Sequence, residues 1–268
     1  DLCSGMVGEF GSLQGIMGGI YARHSGEHQA VVQALREQYI PAGPDTPAPE
    51  TLAGAILSMA DKADTMMGCF GLNMIPTGAA DPYALRRCAL GILRIALKYD
   101  MRFDLTELFA EAQDLYTGIN WKLPPDEALA KVMDFTALRA KNYFTTNKGY
   151  DVLISEAALA AGLEDICSAA MRVEALAAFS RLPHYEQAVR TFKRLANIIA
   201  KIEGADLEHL TGGYSCELLR EEAEKNLAAK LEEIGPRFDA LWHEDRFPEL
   251  FGLLGEVRPA VDAFFEQV

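Results

Sequence analysis

The residues of this sequence best placed to do chemistry are cations repeated at helical spacing. Arg87, Arg94 and Lys98 fall around Gly91. A helix turns about 100° per residue, so it would carry them in one narrow stripe while Leu85, Ala89, Ile92, Leu93 and Ala96 face the other way. Arg190, Lys193, Arg194, Asn197 and Lys201 form a second stripe, opposite Phe192, Leu195, Ile198, Ile199 and Ile202. Rows of this kind suit a phosphodiester backbone. A guanidinium fork grips two oxygens at once, and a glycine among the cations lets a ribose come close. Asn197 adds an amide that can donate to and accept from a base edge, which a cation alone cannot do. A charged stripe is also how an ordinary solvated helix face looks, so both readings stand at this point.

Other chemistry has less behind it. His24 and His28 lie four residues apart with Asp61 and Asp64 downstream, a set suggestive of metal-dependent phosphohydrolases built on His, a His-Asp dipeptide and Asp. The dipeptide is missing, because His28 is followed by Gln29, and Gly26 interrupts any helix between the two imidazoles. No metal ligand is assigned. Asp61, Lys62 and Asp64 are expected to form ion pairs on a helix surface or to hold the Pro-Thr-Gly loop that follows. The sequence has no glycine loop that would cradle phosphate before a helix, no GxSxG elbow and no Cys nucleophile with its His, so no catalytic residue is assigned. Tyr143 and Tyr185 could stack on unpaired bases, yet aromatic side chains in a helical protein belong more often to the core, and they are left unassigned.

The chain has 268 residues, half of them apolar, and a formal charge of −14. That length suits two domains. The net charge alone argues against a polyanionic partner, since phosphate contacts require cations that release condensed counterions. The charge is segregated, however. Between residues 86 and 102 Arg86, Arg87, Arg94, Lys98 and Arg102 face Asp100 alone, and between 181 and 201 five basic residues face Glu186 alone. From Glu203 onward six basic residues meet sixteen acidic ones, which places −10 in that region. Local fields guide a polyanion at short range. Cys3, Cys69, Cys88, Cys167 and Cys216 are scattered and form no CxxC, so neither a disulfide framework nor a zinc site is expected, and a reducing cytoplasm fits. Charge interrupts every apolar stretch well short of the roughly 20 residues of a membrane span. The sequence opens on Asp1 and enters a helical pattern at once, so a piece of a longer polypeptide is expected.

Helical periodicity runs through almost every segment and no alternating β-branched run reads as a strand, which predicts an all-α fold. One helix is expected over about 5–23 and a second over 27–39. Five of the ten residues in PAGPDTPAPE are Pro or Gly, which marks a loop before a helix over 50–70. Asp81 is placed to cap a helix whose first residue is Pro82, and Asp104 with Glu107 opens another, to about Tyr116. Thr117 to Pro125 reads as the domain boundary, giving domains 1–122 and 123–268. Further helices are expected over 126–144, 152–161, 166–180, 184–202, 215–234 and 247–265.

The run ADKADTMMGCFGLNMIPTGAADPYALRRCALGILRI, Ala60 to Ile95, resembles the helical, tRNA-binding part of the β subunit of bacterial tetrameric glycyl-tRNA synthetases. MVGEFGSLQGIMGGIYA, Met6 to Ala22, is similar to that family's entry into a helical HD-like domain. AVRTFKRLANIIAK, Ala188 to Lys201, looks like the signature helix of the anticodon-binding domain shared with arginyl-tRNA synthetases. The resemblance covers most of the chain and implies an HD-like domain followed by a helical-bundle anticodon-binding domain, truncated at both ends. It also implies that a separate α subunit activates glycine with ATP and Mg, that this part of β supplies tRNA recognition within an α2β2 ligase, and that it holds no cofactor or active site of its own. One departure matters. The family's Pro-Thr-Gly loop continues Ser-Lys-Asp-Pro-Phe, where this sequence has Ala79, Ala80, Asp81, Pro82 and Tyr83. The lost cation leaves Arg86 and Arg87 as substitutes.

The expected partners are therefore glycine tRNA and the α subunit, with no DNA and no membrane. Arg190, Lys193, Arg194, Asn197 and Lys201 are expected on the anticodon arm, and Arg86, Arg87, Arg94 and Lys98 on the acceptor or inner corner of the tRNA. An HD-type metal phosphohydrolase and a protein-interaction scaffold are the competing classes. In the scaffold reading, acidic residues of a partner, or of the region after Glu203, would cover the cations.

Overall fold

A computed structural model describes residues 1, 3–78, 80–199 and 215–267, and among them every regular element is helical. The chain divides into two compact units, Asp1–Ala170 and Met171–Val268. The first contains α1 (Gly5–Glu9), α2 (Met17–His24), α3 (Gln29–Glu37), α4 (Leu52–Gly71), α5 (Leu85–Tyr99), α6 (Leu105–Asp114), α7 (Pro125–Asn142) and α8 (Val152–Leu159). The division falls within α9 (Ile166–Phe179). No described helix is long and apolar enough to cross a membrane.

Helix α4 is the axis of the first unit, packed by α3, α5, α6 and α7. Its Ala55, Met59, Ala63, Met66, Met67 and Phe70 are buried, more than one amphipathic stripe can supply, because neighbours enclose it on several sides. The single helix expected over 5–23 is instead α1, a 3₁₀ turn at Gly11–Leu13, and α2. Gly15 adopts φ +81°, a left-handed conformation that glycine takes without a Cβ penalty and that ends the first segment.

The helix expected from Pro82 starts three residues later. Asp81 to Ala84 form a turn, with Ala84 at φ 58°, and α5 begins at Leu85, whose side chain is completely buried. Asp81 keeps the capping role: its carboxylate accepts from the Leu85 N–H at 2.8 Å and the Arg86 N–H at 3.1 Å. Asp104 caps α6 as expected, accepting from Thr106 and Glu107.

The division at 170/171 leaves the Thr117–Pro125 stretch inside the first unit. Trp121 lies so close over α4 that a Cβ added to Gly71 would sit 1.2 Å from its ring. The Lys122 and Leu123 N–H groups both donate to the Gly71 carbonyl, at 2.8 and 3.1 Å. Tyr116 donates to the Asp64 carbonyl at 3.0 Å and meets Trp121 edge-on at 5.3 Å. These contacts fasten the turn to α4, and the helix beyond it, α7, packs on α4 and α5.

The second unit contains α10 (Tyr185–Ile199), α11 (Glu222–His243) and α12 (Phe247–Gln267). The helix expected over 215–234 begins at Glu222, after a 3₁₀ turn at Cys216–Leu218, with a capping box between Glu221 and Glu224. It also runs through Gly235 and Pro236 to His243. Proline removes one helical hydrogen bond, but Ile234, Phe238 and Leu241 on either side of it join Leu253, Val257 and Val261 of α12 in one core, and this packing carries the helix across.

Candidate nucleic-acid interface

Helix α5 forms the first stripe, with Leu85, Ala89, Ile92, Leu93 and Ala96 fully buried opposite the cations. The cations themselves lie against the Pro-rich loop between α3 and α4. Arg94 donates to the carbonyls of Gly43 at 2.9 Å and Thr46 at 2.8 Å. Lys98 donates to the Pro49 and Ala48 carbonyls at 2.6 and 3.3 Å, and Tyr99 to the Pro49 carbonyl at 2.8 Å. Arg87, exposed, reaches only the Ala42 carbonyl, at 3.5 Å, over a cleft of about 470 Å³ that Asp61 and Asp64 also line. Arg86 holds the other loop, donating to the Gly78 carbonyl at 2.6 Å. Among the described residues none of these four cations pairs with a carboxylate.

Gly91 does not leave room for a ribose. A Cβ there would lie 2.6 Å from Cε and 2.8 Å from Cδ of Lys62, whose stem fills the space. Lys62, expected on a solvated surface, is 4 % exposed; it donates to Ser58 Oγ at 2.7 Å and to the Ile40 carbonyl at 3.4 Å. Burial holds its amine below the ordinary lysine range. Asp61 accepts from the Gln38 amide at 2.8 Å. At the base of the same loop, Glu37 is buried and accepts from the Thr51 N–H, the Thr51 hydroxyl and the Gln33 amide, at 3.1, 2.5 and 2.8 Å. Burial alone would raise the Glu37 carboxyl, but these bonds outweigh it and hold the group below the usual carboxylate range. Lys62, Glu37, Arg94 and Lys98 thus clamp one loop at four points.

His28 serves local structure: it caps α3, its Nδ1 accepting from the Ala30 N–H at 3.2 Å. Among the described residues no group of three His, Cys, Asp or Glu could hold a metal ion. Burial pushes the Cys88 thiol up to about 11 and the Cys167 thiol to about 12, so neither is a thiolate nucleophile at neutral pH.

The second stripe faces solvent. Ala188 and Thr191 of α10 are buried, Thr191 donates to the Asp262 carboxylate of α12 at 2.8 Å, and Leu195 joins the α11–α12 core. The remaining face presents Arg190, Lys193, Arg194 and Asn197, all exposed. Arg190 has Glu186 at 3.7 Å on its own helix, a loose surface pair, and Arg194 stacks over the Phe265 ring at 4.2 Å. Among the described residues Lys193 and Arg194 pair with no carboxylate. Lys201 lies outside the described residues. Many carboxylates of α11, α12 and the turn between them are bound by cations of the same segment: Arg237 to Glu256 and Glu233, Arg246 to Glu244 and Glu249, Lys230 to Glu233.

Residues 1–160 match the family model described as glycyl-tRNA synthetase beta subunit. The chain belongs to that family. Over its full length it is 59% identical to the glycine–tRNA ligase beta subunit of Nitratidesulfovibrio vulgaris strain DP4, 44% to that of Lawsonia intracellularis and 40% to that of Shewanella woodyi. It spans 38% of the length of each of these relatives. The burial of Lys62 and Glu37 within this clamp had no signature in the sequence.

Proposed function

We propose that this chain is a tRNA-binding helical part of a glycyl-tRNA synthetase β subunit, serving ATP-dependent attachment of glycine to its tRNA by an α2β2 enzyme in the cytoplasm. In this reading the α subunit holds ATP and Mg and carries out the chemistry. Arg190, Lys193, Arg194 and Lys201 grip phosphates of the anticodon arm, and Asn197 reads a base edge. Arg87, at the rim of its cleft, reaches the acceptor or inner corner. The first unit corresponds to the HD-like element and the second to the anticodon-binding element.

The observation that carries this reading is the asymmetry of α10. Its inner face is fixed by Ala188, Thr191 and Leu195, while its outer face presents Lys193 and Arg194, which pair with no described carboxylate, beside Arg190 in its loose pair with Glu186. Such a face supplies the salt-dependent part of RNA affinity. Lys193→Glu with Arg194→Glu in the complete enzyme is expected to raise KM for tRNA and flatten its salt dependence, with tRNA-independent adenylate formation unchanged. An equal fall in adenylate formation would overturn the assignment.

A further inference from the structure

A cleft of about 530 Å³ opens on the second unit, where the turn before α10 meets the first turns of α12. One side is apolar: Phe179 at the end of α9, buried and stacked on Phe251 at 5.5 Å, and Leu182, 45 % exposed. His184 also lines it, an exposed imidazole that meets the Phe179 ring edge-to-face at 5.7 Å. The α12 side is bare. Gly252 and Gly255, three residues apart and so on one face of the helix, both line the cleft, and a Cβ on either would meet nothing within 4 Å. Glycine inside a helix costs stability relative to alanine, and here no packing contact demands it. What the two glycines preserve is the opening itself. The cleft also lies at one end of the basic stripe. Helices α10 and α12 meet along a seam of three rungs: Arg258 donating to Gln187 at 2.6 Å, Thr191 to Asp262 at 2.8 Å, and Arg194 over the Phe265 ring at 4.2 Å. Arg258 belongs both to the first rung and to the cleft lining, with Asp262 a loose partner at 3.8 Å. Glu256, which lines the cleft as well, is held by Arg237 at 3.0 and 3.2 Å.

We infer that this cleft takes one unpaired base of RNA. The base enters between Leu182 and the bare side of α12 and stacks against the His184 imidazole, while the phosphates beside it lie on Arg258 and on the cations that follow along α10. An aromatic and aliphatic wall facing a side free of side chains suits a flat ring, and it makes few demands on which base that is. RNA is favoured over an apolar ligand because the cleft continues, through the Arg258–Gln187 rung, into a row of cations. This inference rests on the reading of α10 as an RNA-binding face and adds to it a seat for a base, at the opposite end of the helix from Asn197.

The test uses the whole β subunit assembled with its α partner and measures affinity for glycine tRNA across a salt series. Gly252→Met with Gly255→Met fills the cleft. Each new Cβ has room and a helical glycine is removed, so Tm is expected to hold or rise. Affinity is expected to fall by about 5- to 150-fold, the loss of one stacked base. The slope of log affinity against log salt is expected to stay at the parent value, because stacking releases no counterions, whereas Lys193→Glu with Arg194→Glu flattens it. If the glycine variant fails to fold, His184→Ala decides, with a several-fold loss of affinity expected. Parent affinity in the folded variant overturns the base seat, and so does a loss that comes with a flattened slope, which would trace to the cations. If Lys193→Glu with Arg194→Glu still weakens binding, the broader tRNA reading stands without the seat; if that pair also has no effect, both readings fall. Adenosine monophosphate provides the second arm: a rise in Tm that the glycine variant abolishes, combined with unaltered tRNA affinity, would assign the cleft to a free nucleotide and overturn the RNA proposal.

Discussion

Gly71→Ala should unfasten the turn that ties α7 to the first unit. The new methyl would lie 1.2 Å from one Trp121 ring carbon and 1.3 Å from another, so the indole has to leave its place. Trp121 is half-buried, and losing roughly 100 Å² of apolar burial at about 25 cal/mol/Å² costs about 2.5 kcal/mol. The edge contact with Tyr116 adds about 1 kcal/mol. Against this, alanine in place of glycine in a helix gains up to about 1 kcal/mol. The net expectation is a loss of about 2 to 3 kcal/mol. Once Trp121 is absent the obstacle is gone, so in a Trp121→Ala background the same Gly71→Ala change should stabilise, by about 0.5 to 1 kcal/mol. Urea denaturation of the four proteins, followed by far-ultraviolet circular dichroism, reads this reversal of sign. A destabilisation by Gly71→Ala of equal size in both backgrounds would refute the reasoning, because the cost would then come from the helix and not from the ring above it.

Three further outcomes follow from the loop clamp. Gly91→Ala should displace the Lys62 stem, break its bonds to Ser58 and Ile40, and destabilise the protein by about 1 to 3 kcal/mol, with Lys62→Ala partly relieving the defect in a thermal melt. Glu37 has a carboxyl held below its unfolded range, so its stabilising contribution is present at neutral pH and is lost as pH falls through about 4.5 and below. The Tm difference between parent and Glu37→Gln should therefore be largest at neutral pH and shrink in acid; a difference independent of pH would contradict the assignment. Arg94→Met should leave the fold intact but free the 41–49 loop, seen as faster proteolysis within that segment, and unchanged cleavage would show that Lys98 and Tyr99 hold it unaided.

The all-α class and most helix positions were legible because apolar residues recur at helical spacing and because Asp81 and Asp104 are strong caps. The exposed face of α10 was legible for the same reason: Leu195 stands opposite Lys193 and Arg194, and one side has to be buried. The end of α11 was not, since Pro236 stops an isolated helix and only packing by distant residues of α12 carries the chain through it. Nor was the burial of Lys62. Between Asp61 and Asp64 it has the local signature of a surface residue, and the cavity that accepts it is made by Gly91, about thirty positions away in sequence. The single helix expected at the start failed on backbone conformation, because a glycine-rich segment carries no local mark of which glycine will turn left-handed. The role of Arg94 and Lys98 was half legible: helical spacing placed them outward but gave no sign of the proline-rich loop that would lie across them.

That loop uses the N–H groups of Arg94 and Lys98 without neutralising them. A carbonyl is a dipole with no net charge, so each cation keeps its full formal charge while its donors are occupied. The loop therefore acts as an insulating sleeve over a live conductor. Arg94 is half-buried and Lys98 exposed, so both charges lie well inside a screening length of about 8 Å at physiological ionic strength from the loop's outer side. The loop also carries the exposed carboxylates of Asp45 and Glu50, so the potential at its outer side is the sum of the cations it covers and the anions it bears.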